Sequence, residues 1–325
     1  MTQNITMVEA INQAMLNEME KDKNVLLLGE DVGVDGGVFR ASQGLLKKFG
    51  EERVIDTPLA ESGIVGAAIG LALNGFHPIA EIQFSGFLYP ALDQLISHAG
   101  RYRNRTRGQR TVPMVVRMPC SGGIRAPEHH SESVEAYLAH TPGIKTVMPS
   151  NPYDAKGLLI SAIRDPDPVV FLEPTRLYRS VKQEVPEEEF VVPLEKANVV
   201  KEGEDITIIA WGTMVRVALE SAAAVSEKHS VEVIDLRTIY PMDIDTIVDS
   251  VQKTGRCVVV HEAPRTCGFG AEISSLLNEH DLLSLKAPVE RVTGFDTVMP
   301  LAKSEQYYIP NTERVVGAVK KAMEF

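Results

Sequence analysis

An α/β protein of two parallel-sheet, three-layer domains is what this chain predicts, and three observations predict it. Apolar runs of strand length alternate with amphipathic runs of helix length. Several strand runs are apolar on both faces, as in a sheet covered by helices on each side. The chain also has 325 residues, more than the ~250–300 at which a single core usually stops growing. A first domain is expected over 1–175, a linker over 176–203 and a second domain over 204–325.

The first element is a helix reaching about Lys21. It is announced by Thr6-Met7-Val8-Glu9, a hydroxyl N-cap with a carboxylate three residues on. Strands are expected at Asn24–Gly29, Arg53–Asp56, Pro78–Phe84, Pro113–Met118, Lys145–Met148 and Pro168–Leu172. Helices are expected between them at Ser62–Asn74, Tyr89–Arg105, Ser133–His140 and Asn151–Arg164. From Thr175 to Gly203 the alternation fades, and the charged, proline-broken run Lys182–Glu189 reads as a surface linker. The pattern then restarts with strands at Ile206–Ala210, Val231–Asp235, Cys257–His261 and Val289–Val292. Its helices open near Val215, Asp243 and Gly270.

A formal net charge of −11 argues against broad nucleic-acid or anionic-membrane binding. No run of about 18 apolar residues predicts a membrane-spanning helix, and the N-terminus lacks the basic-then-apolar order of a signal peptide. Cys120, Cys257 and Cys267 are odd in number and widely spaced, which fits a reducing, cytoplasmic setting and gives no zinc signature. Cys257 opens an apolar run and reads as a small hydrophobe.

Four segments have compositions unusual for packing alone. Asp56-Thr57-Pro58-Leu59-Ala60-Glu61 precedes a helix rich in Gly and Ala, where a neighbouring backbone can approach closely. Glu61 suits the positive end of that helix as readily as it suits catalysis. Glu81–Pro90 ends a strand, the edge where open α/β sheets bind ligands; there Phe87 could stack on a flat heterocycle or simply pack. Pro119–Ser131 is a Gly/Pro loop ending in His129-His130, suited to proton transfer. Adjacent histidines point apart, so one of the two faces a given substrate, and no carboxylate or thiolate cluster makes them a metal pair. Gly29–Gly37 resembles a phosphate loop superficially but lacks its motifs, and reads as turn chemistry, with contact of its acids with a partner as the alternative.

In this order the segments resemble, nearly end to end, the beta subunit of the thiamine-diphosphate-dependent decarboxylase component of 2-oxo acid dehydrogenase complexes. Gly29-Glu30-Asp31-Val32-Gly33, Asp56–Glu61, Pro149–Leu159 and Val233–Thr238 carry the likeness, which is closest to the pyruvate type. It implies a pyrimidine-binding thiamine domain followed by a transketolase-like C-terminal domain. Glu61 would hydrogen-bond the ring nitrogen of the cofactor's aminopyrimidine, favouring its imino tautomer. Phe87 would pack on that ring, and Gln83 would line the same wall. His130 would assist lipoyl reduction and acyl transfer; His129 stands where the family usually has another residue. A potassium site built from backbone carbonyls is implied at Met114, Ala162, Asp165 and Asp167, with Asp167 replacing the common asparagine.

Thiamine enzymes hold the diphosphate through Mg²⁺ on a Gly-Asp-Gly motif, as the wider resemblance implies, and none occurs here. The anion and metal half is therefore expected from an alpha subunit in an alpha2-beta2 heterotetramer, and this chain alone should be inactive. Pyruvate is the expected substrate, with branched-chain 2-oxo acids or acetoin as alternatives. A lipoyl-bearing acyltransferase core would receive the acyl group, docking near the C-terminal end at Lys321–Phe325. An assembly scaffold without catalytic duty is the non-enzyme alternative.

Overall fold

The computed structural model describes residues 1–325. Its first half holds strands β1 (Thr2–Thr6), β2 (Val25–Gly29), β3 (Val54–Asp56), β4 (His77–Glu81), β5 (Val115–Cys120), β6 (Lys145–Val147), β7 (Val169–Pro174) and β8 (Lys182–Pro186). The second half adds β9 (Asn198–Lys201), β10 (Ile206–Ala210), β11 (Val231–Asp235), β12 (Thr238–Tyr240), β13 (Cys257–Val260) and β14 (Glu290–Val292).

Seven strands form the larger sheet in the order β12-β6-β7-β5-β4-β2-β3, all parallel except the edge strand β12. The strand runs bury both faces as expected: every residue of β2, β5 and β7 is buried. One face is covered by helices Met7–Lys21 and Pro152–Arg164, whose Met7, Ile11, Met15, Leu158 and Leu159 pack in one cluster. Helix Glu61–Leu73 covers the other face through Ile64, Val65 and Ala68. A five-stranded sheet, β14-β13-β10-β11-β9, builds the second domain, with β9 antiparallel at its edge. Helices Thr213–Ala224 and Thr312–Glu324 cover one of its faces through Val215, Val217, Val315 and Val319.

The capping box forms as read: Glu9 accepts from the backbone N–H and the hydroxyl of Thr6 at 2.7 and 2.6 Å. Three details depart from the sequence reading. The stretch Tyr89–Arg105 is not one helix. It is a 3₁₀ turn at Tyr89–Ala91, a π turn at Gln94–His98, a second 3₁₀ turn at Ala99–Arg101 and a short α-helix at Tyr102–Arg105. Proline at position 90 and the close approach of Gly100 to the Pro142 carbonyl interrupt the regular ladder. The charged run at 182–189 is tied down, because β8 pairs antiparallel with β1. Finally, β4 ends at Glu81, and Ser85–Phe87 turns as a 3₁₀ helix.

Candidate active site

The carboxyl ends of β3, β2, β4, β5 and β7 lie side by side, and the segments that leave β3, β4 and β5 carry Glu61, Gln83 and Phe87, and the two histidines. Beneath this edge sits a buried ion triad. Arg117 donates to both carboxylate oxygens of Glu173 at 2.8 Å and also bonds Glu81, while the Tyr178 hydroxyl donates to Glu173. Burial works against the Arg117 charge, but Glu173 and Glu81 outweigh it and hold the guanidinium above its usual range. Burial pushes the Glu173 carboxyl up, with Arg117 opposing. One guanidinium bridging two carboxylates ties three strands of this floor together, and removing it would leave two acids in the interior without their cation.

On this floor Gln83 donates its side-chain amide to the Glu30 carbonyl at 2.6 Å and to Glu81 at 3.0 Å. It thus ties the loop after β2 to the loop after β4. Glu61 opens helix Glu61–Leu73 and is buried there, with 8% of its surface exposed. The residues just before it, Pro58, Leu59 and Ala60, are exposed. Burial, and then the charges of Glu61, Asp31 and Glu81, raise the pKa of Glu30. Glu61 therefore lies close enough to Glu30 for its charge to bear on that acid.

Ser62 donates to the Pro90 carbonyl, which joins the start of the Glu61 helix to the turn Tyr89–Ala91, directly after the turn bearing Phe87. The Phe87 turn docks against the histidine loop: Ser85 donates to the Glu132 carbonyl at 2.8 Å. A Cβ at Gly86 would stand 2.2 Å from the His129 carbonyl oxygen, so only glycine permits this approach. Phe87 is half-buried. Its ring meets His130 edge-on at 5.3 Å and His129 at 5.8 Å, and His130 also leans on Phe84 at 4.5 Å. The two histidines differ. His129 is exposed with a left-handed backbone (φ 67°), whereas His130 is partly buried. Its Nδ1 lies 2.8 Å from the Glu128 carbonyl. A carbonyl only accepts, so Nδ1 carries the hydrogen of this bond.

Comparison with known proteins follows this geometry. The model of the transketolase pyrimidine-binding domain matches residues 3–181, and that of the transketolase C-terminal domain matches residues 195–315. The chain is 55% identical to a pyruvate dehydrogenase E1 component subunit beta of Acholeplasma laidlawii, over 98% of this chain and 97% of that one. It is 53% identical to the Bacillus subtilis (strain 168) protein of the same name, over 99% of each. The chain belongs to the pyruvate dehydrogenase E1 beta-subunit family. In fold it is also like a solved split-gene transketolase in an inactive beta4 tetramer, with a TM-score of 0.80 at 24% identity and 99% coverage of each chain.

Within this E1 beta chain the structure gathers Glu61, Gln83, Phe87 and His130 on loops at one sheet edge. The four positions expected to bind potassium lie elsewhere, around the C-terminal end of helix Pro152–Arg164. There the Ala162 carbonyl accepts from Asp165 at 3.3 Å and the Met114 carbonyl from Val169 at 3.0 Å. Lys145 bonds the Asp165 carboxylate at 2.8 Å, and Arg103 grips the Asp167 carboxylate with two hydrogen bonds. No group of three or more His, Cys, Asp or Glu side chains is arranged to hold a metal.

The sequence reading missed Glu30, the Arg117 triad and two acids of the second domain. Glu262 accepts from the Gly122 N–H at 2.8 Å, and Glu305 accepts from Gly123 at 2.7 Å and Arg125 at 3.1 Å. Burial pushes Glu262 up to about 7, with the Gly122 N–H opposing. A lone arginine inside the apolar run Val115–Met118 was the available signal for the triad. Nothing local marks Glu262 or Glu305, whose partners lie 140 and more residues away.

Proposed function

We propose that this chain is the beta half of a pyruvate dehydrogenase E1 enzyme, which decarboxylates pyruvate on thiamine diphosphate and passes the acyl group to a lipoyl group. The carrying observation is Glu61: a carboxylate buried at the start of a helix, at the carboxyl edge of a parallel sheet, on the element bonded to the turn that follows Phe87. Family membership at more than half identity favours pyruvate over the branched-chain and acetoin alternatives, and favours an enzyme subunit over a scaffold.

The donor set fits the aminopyrimidine end of the cofactor. Glu61 would hydrogen-bond its ring nitrogen, Phe87 would offer an aromatic face, and Gln83 would brace the wall. Thiamine diphosphate, when bound, supplies the electron sink for loss of CO₂. His130, its ring oriented by the bond from Nδ1 to the Glu128 carbonyl, is the chain's own candidate to move a proton during acyl transfer. The chain has no Gly-Asp-Gly to hold a Mg²⁺-bound diphosphate, so an alpha subunit supplies that half in an alpha2-beta2 assembly. Potassium would sit at the carbonyl-rich end of helix Pro152–Arg164, where the helix dipole favours a cation. A lipoyl-bearing acyltransferase core would dock on the acidic second domain near the exposed Phe325. Compartment follows the same reading, a cytoplasmic one. No helix is long and apolar enough to cross a membrane.

Glu61→Ala in the reconstituted alpha–beta pair is the direct test. Loss of proton handling at this point costs on the order of 10²–10⁴-fold in turnover with assembly intact by size exclusion. Full turnover with an intact assembly would refute the reading.

A further inference from the structure

The histidine loop is held by the wrong domain for a simple loop. It leaves β5 of the first domain, yet its backbone N–H groups at Gly122, Gly123 and Arg125 all donate to carboxylates of the second domain, those of Glu262 and Glu305. Both acids are buried, with 5% of their surface exposed. The approach is close: a Cβ at Gly122 would stand 2.8 Å from the side chain of Ile309 and 3.0 Å from that of Met299, both in the second domain. Three charge-assisted hydrogen bonds converge within four residues of loop, and the far end of that loop carries His129 and His130.

We propose that Glu262 and Glu305 form an interdomain clamp that positions the histidine loop, so that the second domain sets where the His130 ring lies. Neither acid touches the reacting atoms; both are positioning residues. The physical case is one of entropy. A loop from Ser121 to Ser131 that is rich in Gly and Pro would otherwise sample many conformations, and each N–H tied to a fixed carboxylate removes some of them. The opposite end of the loop is pinned by the first domain, through the Ser85 hydroxyl on Glu132 and through Gly86 beneath His129. The histidines are thus stretched between one anchor in each domain, and a change in domain packing would move them. This inference rests on the proposed role of His130 in acyl transfer.

The test uses the reconstituted alpha–beta pair with Glu305→Gln, Glu305→Ala and, in parallel, His130→Ala. Gln keeps the oxygen that serves Gly123 but loses the second acceptor, so it should be milder than Ala. Amide exchange in peptides covering 121–132 should speed by roughly 10- to 100-fold in Glu305→Ala, as loss of charged hydrogen bonds predicts, with strand Ile206–Ala210 still protected. Acyl transfer to a lipoyl domain should fall by about 10- to 100-fold, and by more than pyruvate decarboxylation read with a small artificial electron acceptor. Unchanged loop exchange in Glu305→Ala overturns the clamp. Faster exchange with undiminished acyl transfer overturns its positioning role. If His130→Ala also transfers acyl groups normally, the failure belongs to the histidine assignment, and the clamp as a device of catalysis falls with it.

Discussion

His261 shows how far a single side chain can be moved from its ordinary chemistry. It is fully buried and stacks on Trp211 with ring centroids 5.3 Å apart. Burial, and then the charges of Arg291 and Arg265, lower its pKa to about 4 from 6.5. An unfolded chain takes up this proton near pH 6.5 and the folded chain only near pH 4. Between those values the unfolded state binds more protons, so stability falls as the pH falls. His261→Phe keeps a ring against Trp211 and cannot take up a proton. Its urea midpoint should therefore gain on the wild type between about pH 7 and about pH 4.5; a constant gap would clear His261 of this role. Asp235, pushed up to about 7 by burial, slopes the opposite way and is common to both proteins, so the difference isolates the histidine.

Helix Pro152–Arg164 illustrates how an element is made before it is packed. Asn151 caps it by accepting from the Asp154 N–H at 2.9 Å, proline stands in its first turn, and ten of its thirteen residues are buried. Asn151→Ala should cost about 1 kcal/mol in chemical denaturation, with no change in its slope on denaturant; a cost near zero would mean that packing alone holds the first turn. The same helix anchors the pair β1–β8. Its fully buried Lys156 donates to the Pro186 and Glu187 carbonyls at 2.6 and 2.9 Å, and burial lowers that ammonium to about 8. This explains why the charged run after Val181 is not loose. Its anchors are carbonyls, which any sequence provides, so composition there read only as polar.

Taken together the two domains are one folding unit. The edge strand β12 lies beyond β11 in sequence yet pairs with β6, in the sheet of the first domain. One continuous body of buried apolar side chains runs from Leu26, Ile64 and Val116 across to Trp211, Ile234 and Ile273. Separating the domains would expose that surface at about 25 cal/mol per Å². Calorimetry of the isolated chain should therefore show one unfolding transition containing both domains; two resolved transitions would contradict the shared core.

Much was legible in advance because its causes are local. Capping, strand length and the alternation of strands with helices follow from neighbours in the chain, and so did the two domains and the order of most elements. The motif around Glu61 was readable for the same reason: helix start, small residues and carboxylate are contiguous. The broken helix at 89–105, the antiparallel edge strands and the acids that grip the histidine loop were decided by tertiary structure. Each depends on groups brought together from distant positions, and a backbone N–H donates to a distant carboxylate without leaving any mark on the residues beside it.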